Sequence, residues 1–197
     1  TVGEEFRVNT YVSGYQYNPD VTGLKDGGFV ITWRDDSGQG GSNYEVRAQV
    51  FDQNSEPSGI SFGVNTYKSN NQHQADVAAL EDGGFVVTWS SHGQDGSSEG
   101  VYGQLYNARG QTVDGEFQVN TYTSSSQTDP SISSLDDGGF VITWADSSGH
   151  DGGSSNDIRG QLYDDDGDAV GEEFLINTEV SGSQYEPSVA SLKEGGF

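Results

Sequence analysis

Cysteine and methionine are both absent from the 197-residue sequence. No disulfide, thiolate metal site or thiol redox couple can form. Basic residues are scarce, with 8 Lys and Arg against 31 Asp and Glu, a formal net charge of −23. So acidic a surface is repelled by nucleic acid and by anionic membranes, and it attracts cations. No apolar run approaches a membrane span, and no signal-peptide pattern is present. Hydrophobic residues are only 31% of the chain, a level that leans toward loop-rich or disordered structure. The 10 Tyr, 9 Phe and 3 Trp argue against disorder, because most recur at fixed positions. Short all-β modules joined by many turns fit both facts.

The recurrence is a repeat. Gly-Gly-Phe begins at Gly27, Gly83, Gly138 and Gly195, in steps of 56, 55 and 57 residues. Asn-Thr begins at Asn9, Asn65, Asn120 and Asn177, with the same steps. A fixed period of this size is the mark of a repeat architecture. Only the stretch after Trp33, Trp89 and Trp144 changes length, so a rigid unit carries one variable loop, the kind of segment that often holds function. Residues 1–29 match residues 169–197 position for position. The chain therefore reads as three periods plus a repeated half, and is expected to be a piece of a longer array.

Each period predicts four strands. Strand A is short ("DVTGL", "DVAAL", "SISSL") and leads into a tight Asp-Gly-Gly turn, whose glycines supply the positive φ of a two-residue hairpin. Strand B is "FVITW" or "FVVTW", apolar on both faces and hence covered on both sides. Strand C is "VRAQVF", "VYGQLY" or "IRGQLY". Strand D is "FGVNT", "FQVNT" or "FLINT". A four-stranded antiparallel meander repeated in this way predicts a β-propeller-like array, with A at the axis and D at the rim. A β-solenoid or stacked meanders is the alternative. The predicted boundaries are 1–18 for a partial blade, 19–67, 68–122 and 123–178 for three blades, and 179–197 for an incomplete fourth. The repeat-defining positions Gly27, Gly28, Phe29, Trp33, Gly83, Gly84, Phe85, Trp89, Gly138, Gly139, Phe140 and Trp144 are expected to be structural, with the tryptophans packing blades.

Strand alternation puts the variable B–C loops and the D–A linkers on one edge. The loops are rich in Asp, Ser and Gly. Asp35, Asp36, Asp95, Asp146, Asp151 and Asp157 are candidate Ca²⁺ ligands, since calcium takes hard oxygen donors; no loop has the EF-hand spacing. Asp164, Asp166 and Asp168 are a second candidate, with an acidic hairpin turn as the plainer reading. Tyr15, Tyr17, Tyr67, Tyr122 and Tyr185, in the D–A linkers, are candidate glycan-stacking residues. The wedge between blades is the plainer reading, because Tyr is amphipathic and its hydroxyl needs one partner. His73, His92 and His150 do not share a phase, no Ser-His-Asp arrangement recurs, and no carboxylate pair stands out for glycoside chemistry. The expectation is therefore no enzyme.

The string "DGGFVVTW … GQDGS … VYGQLY … EFQVNTYT" resembles repeats of large secreted bacterial proteins of the hemolysin-type calcium-binding, RTX-like adhesin kind, over essentially the whole chain. The resemblance implies an exported or cell-surface protein with structural or adhesive work in a calcium-rich medium. The tandem glycine-rich nonapeptide of RTX rolls is absent. The function expected is a non-enzymatic extracellular structural, filament-forming or adhesive component that associates with further copies of the repeat. A calcium-dependent glycan-binding module is one alternative, and a non-catalytic part of a polysaccharide-active enzyme is the other.

Overall fold

A computed structural model describes residues 4–41, 43–150, 156–179, 181–193 and 195–197. It is all-β, with strands β1 (Gln16–Gly23), β2 (Phe29–Asp35), β3 (Glu45–Phe51), β4 (Phe62–Gly63), β5 (Gln72–Ala79), β6 (Phe85–His92), β7 (Glu99–Tyr106), β8 (Thr112–Gln118), β9 (Gln127–Ser134), β10 (Phe140–Asp146), β11 (Asp157–Tyr163) and β12 (Ala169–Leu175). They form three four-stranded antiparallel sheets in simple chain order, β1 to β4, β5 to β8 and β9 to β12. β1 lies against β5, and β5 against β9. The first strand of each sheet is thus innermost and the fourth outermost, the blade arrangement of a β-propeller.

The Gly-Gly turn has two separate causes. The first glycine is left-handed, with φ of 88° at Gly27, 93° at Gly83 and 94° at Gly138. The second has no room for a side chain: a Cβ at Gly84 would lie 2.4 Å from the carbonyl oxygen of Tyr106, and one at Gly28 2.4 Å from that of Phe51. The preceding Asp accepts the N–H of the second glycine, at 2.9 Å for Asp26 and 2.7 Å for Asp82. Gly84→Ala is expected to destabilise the fold by about 1–3 kcal/mol through backbone overpacking. Gly23→Ala, where nothing lies within 4 Å of the new Cβ, serves as the neutral control, and urea midpoints compare the two.

Burial follows the repeat. β10 is buried along its whole length, as is β6 up to Ser91. One face of the first sheet (Leu24, Val30, Val46, Val50, Val64) packs on Val77, Phe85, Val87 and Trp89 of the second. The second repeats this on the third through Val86, Val101, Leu105 and Val119 against Ile132, Phe140, Ile142 and Trp144. Trp89 and Trp144 are fully buried and Trp33 is 4% exposed; Trp89 lies in the first inter-blade cluster and Trp144 in the second. At the rim, Phe62 of one sheet meets the stacked Phe85–Tyr106 pair of the next, and Phe117 meets Phe140–Tyr163.

The Asn-Thr marker is a clasp. Asn65 Oδ1 accepts the Val46 N–H at 2.9 Å, while its Nδ2 donates to the Tyr67 carbonyl at 2.8 Å and to Gln72 Oε1 at 3.1 Å. Asn120 does the same with Val101, Tyr122 and Gln127, and Asn177 with Ile158, Glu179 and Gln184. These amides pin each D–A crossover to the third strand of its own blade. Thr121 then donates both its N–H and its hydroxyl to Glu173 of the next sheet, each at 2.8 Å.

Two strand positions differ from the sequence reading. The inner strand begins at Gln16, Gln72 and Gln127, four residues earlier than the apolar alternation indicates, because a bulge interrupts that alternation. The outer strand covers Thr112–Gln118 and Ala169–Leu175 rather than starting at Phe117 and Phe174. In the first blade it shrinks to Phe62–Gly63, leaving Pro57 in an isolated bridge to Phe51.

Candidate functional site: an acidic crevice on the inner strands

The bulge that lengthens the inner strands also builds the site. Pairing shifts register between Tyr17 and Asp20, and between His73 and Asp76. The residue in each bulge is left-handed, with φ of 47° at Asn18, 54° at Gln74 and 54° at Asp129, and Glu186 has 51° in the segment that begins the next repeat. Positive φ is costly for Gln and Glu, and such positions concentrate at functional sites. Pro19, Ala75, Pro130 and Pro187 follow in sequence. The bulges bring Asn18, Gln74, Asp129 and Glu186 together with Asp20, Asp76 and Ser131 around one crevice of about 360 Å³.

Asp20 and Asp76 meet across the first two blades. Asp20 Oδ2 accepts the Val77 N–H at 3.0 Å, and Asp76 Oδ1 accepts the same N–H at 2.9 Å. Asp76 Oδ2 reaches on to the Ile132 N–H at 2.9 Å. Burial, then the hydrogen bond and charge of Asp20, push the Asp76 carboxyl up to about 7, against the pull of the two backbone N–H groups. A carboxyl in this state holds its proton near neutrality and can give it away. Gln74 Nε2 donates to Asp129 Oδ1, while Gln74 Oε1 is buried with no partner among the described residues. Ser131 continues the ladder by accepting the Val189 N–H at 3.4 Å. At the rim, His73 Nε2 lies 2.9 Å from Glu99 Oε1, a hydrogen bond that holds the Glu99 carboxyl low.

The described loop residues expected to bind calcium accept hydrogen bonds from their own loops and from the neighbouring linkers and strands. Asp35, Asp95 and Asp146 each accept the N–H two residues on, at 2.6, 2.9 and 2.9 Å. Asp146 also takes the Gln127 amide at 2.8 Å, Asp36 accepts the Tyr15 N–H, and Asp157 accepts Asn177 Nδ2 at 3.0 Å. Asp151 lies outside the described residues. Asp164 accepts the N–H groups of Asp166 and Asp168. Asp52 and Asn107 brace the matching hairpins in the same way. Among the described residues no three His, Asp or Glu side chains gather as a metal-holding group, and no helix is long and apolar enough to cross a membrane.

The linker tyrosines divide into two sets. Tyr67 bonds the Gly93 carbonyl at 3.5 Å. Tyr122 stacks on His150 at 3.6 Å and lies 5.1 Å from the Arg159 guanidinium. These two are packed into the structure. Tyr15, Tyr17 and Tyr185 are 65%, 41% and 61% exposed. The loops and linkers do share one edge, as Asp36 donating to Tyr15 and Ser147 to Ser126 show. Sequence reasoning passes over Asp20, Asp76, Asp129 and Glu186, since it looks for acids in loops. The signal for three bulge residues was positional: an amide or acid just ahead of Pro or Ala in every period.

No protein-family model and no curated protein matches the chain. Solved structures do. The α-L-arabinofuranosidase of Fusarium graminearum, of glycoside hydrolase family 93, is 13% identical, with a TM-score of 0.61, over 91% of this chain and 50% of that one. An α-L-arabinanase of Penicillium chrysogenum is 15% identical, with a TM-score of 0.58 and the same two coverages. A Dyadobacter fermentans protein of unknown function is 12% identical, with a TM-score of 0.61, over 90% and 59%. The chain thus spans about half the length of the arabinose-acting enzymes it resembles. Two expectations are corrected by these neighbours. The resemblance to RTX-like adhesins does not stand, because neither a family match nor the fold supports it. The expectation of a non-enzyme falls as well, because the Fusarium and Penicillium neighbours are an arabinofuranosidase and an arabinanase. At this identity the likeness is one of fold: the chain is an all-β array of propeller blades, built as those enzymes are.

Proposed function

We propose that the chain is part of an extracellular, polysaccharide-active β-propeller, and that the crevice on its inner strands is where a glycosidic bond is held and cleaved. The observation that carries this reading is the convergence of Asp20, Asp76, Asp129 and Glu186, from four successive repeats, on one crevice. Burial and the charge of Asp20 keep one of them protonated to about pH 7. Glycoside cleavage uses two carboxyl groups, one to protonate the leaving oxygen and one to act on the opposite face of the sugar. Asp76 suits the first role. Asp129, oriented by the Gln74 amide, supplies the second carboxylate, with Glu186 beside it in the crevice. Asp76 gives its proton to the departing oxygen as the glycosidic C–O bond breaks, Asp129 takes a proton from the water whose oxygen bonds the anomeric carbon, and that proton returns to Asp76 through solvent. The unpartnered Gln74 Oε1 offers an acceptor for a sugar hydroxyl. The arabinofuranosidase and arabinanase neighbours support the choice of substrate class.

The test is reducing-end release from arabinan and from other neutral polysaccharides at pH 5–6. Release that tracks intact Asp76 and Asp129 is the expected result. No release from any neutral polymer by the folded protein overturns the hydrolytic reading.

A further inference from the structure

Tyr15 and Tyr17 form an exposed ledge beside the crevice. Their rings stack with centroids 5.6 Å apart and planes 19° from parallel. The Arg34 guanidinium backs them, 5.7 Å from the Tyr17 ring and 3.7 Å from Tyr44, and Arg34 Nε is buried without a partner among the described residues. Tyr17 also borders a small apolar notch with Pro19 and Trp33, and Pro19 is itself part of the acidic crevice. Notch and crevice thus share Pro19, and Tyr17 directly precedes Asn18 of the crevice. Tyr185 holds the same register in the last repeat, one residue before Glu186, as Tyr17 stands one before Asn18. The two inner repeats have His73 and Thr128 there. Exposed tyrosines thus flank the crevice at its first and last repeats, with polar residues between.

We infer that Tyr15 and Tyr17 on one flank, and Tyr185 on the other, are sugar-stacking subsites that extend the crevice and select an uncharged oligosaccharide chain. The inference rests on the carbohydrate reading above and adds its specificity. A flat exposed ring matches the apolar face of a sugar, its phenolic hydroxyl can bond a sugar hydroxyl, and the Arg34 guanidinium behind it holds the Tyr17 ring in place. Four carboxyl groups in the crevice and a net charge of −23 repel a uronate chain. An isolated exposed tyrosine needs no explanation; a stacked pair next to an acidic crevice does.

Affinity electrophoresis through gels containing arabinan or polygalacturonate tests this without needing turnover. The wild-type protein is expected to be retarded by arabinan and to run freely through polygalacturonate. Tyr15→Ala and Tyr17→Ala should each weaken retardation roughly 3- to 10-fold, and Tyr185→Ala likewise. Phe at the same positions should retain most of it. Retardation by arabinan without reducing-end release from it would overturn the catalytic reading and leave the subsites standing, so the two failures are distinguishable. These rings are exposed, so circular dichroism should be unchanged. Undiminished retardation of the Ala variants overturns the subsites and leaves the crevice standing. Equal retardation by polygalacturonate, or none by arabinan, overturns the neutral-chain selectivity.

Discussion

Asp76→Asn is expected to lower polysaccharide cleavage by about 10²- to 10⁴-fold, the range for removing a positioned general acid. Asn preserves the shape of the side chain, but its amide cannot release a proton to a leaving group. The wild-type rate should fall as pH rises through about 7, the point to which burial and Asp20 raise this carboxyl; the residual rate of the variant should not change there. Stability follows the same group. A carboxyl whose folded pKa is raised above its ordinary 3.8 binds its proton more tightly in the fold than in the unfolded chain. Its stabilising contribution is full below 3.8 and is lost as pH climbs through about 7. Urea midpoints of wild type should carry this decline between those limits, and those of Asp76→Asn should not. Asp20→Asn removes the neighbouring charge while burial stays, so the Asp76 titration should move down yet remain above 3.8.

The largest stability effect belongs to the blade interface. Trp89→Ala is expected to cost about 3–5 kcal/mol, the range for deleting a large aromatic from a packed core. Trp89 is fully buried, lies in the cluster that joins the first and second sheets and stacks near Tyr102. Its Nε1 has no partner among the described residues, so the cost is lost apolar transfer and cavity rather than a broken hydrogen bond. Ile60→Ala is the control: Ile60 is 87% exposed and should stay within about 0.5 kcal/mol of wild type. An equal response of the two variants to denaturant contradicts the interface described here. Because blades stack in series, Trp89→Ala should also uncouple the first blade, visible as a broadened transition.

The architecture was legible because it is periodic. Gly-Gly-Phe, the buried tryptophans and the period-2 apolar alternation state the blade directly, and strand direction alone places the loops on one edge. What escaped is what periodicity hides. The inner strand was shortened in the sequence reading because a left-handed residue at Asn18, Gln74 and Asp129 breaks the alternation that marks a strand. The four crevice acids escaped for the same reason. Asp20 and Asp76 are ordinary-looking strand residues, and only adjacency of blades brings them to a single N–H of Val77. The loop aspartates drew attention because Asp-Ser-Gly composition suits calcium and turns equally. In Asp35, Asp95 and Asp146 the structure shows turn-bracing hydrogen bonds to their own loops. Asn-Thr was visible as a marker, but its meaning as a buried Asn–Gln clasp depends on a partner seven residues away, across a crossover.

A carboxyl ¹³C NMR titration of Asp76, assigned by loss of its signal in Asp76→Asn, tests the central claim most directly. It needs no substrate and reads the proton itself. The account predicts a midpoint near 7 that drops in Asp20→Asn. A midpoint near 4, unmoved by Asp20→Asn, would mean that the inner-strand aspartates do not share a buried proton, and the crevice would lose its acid.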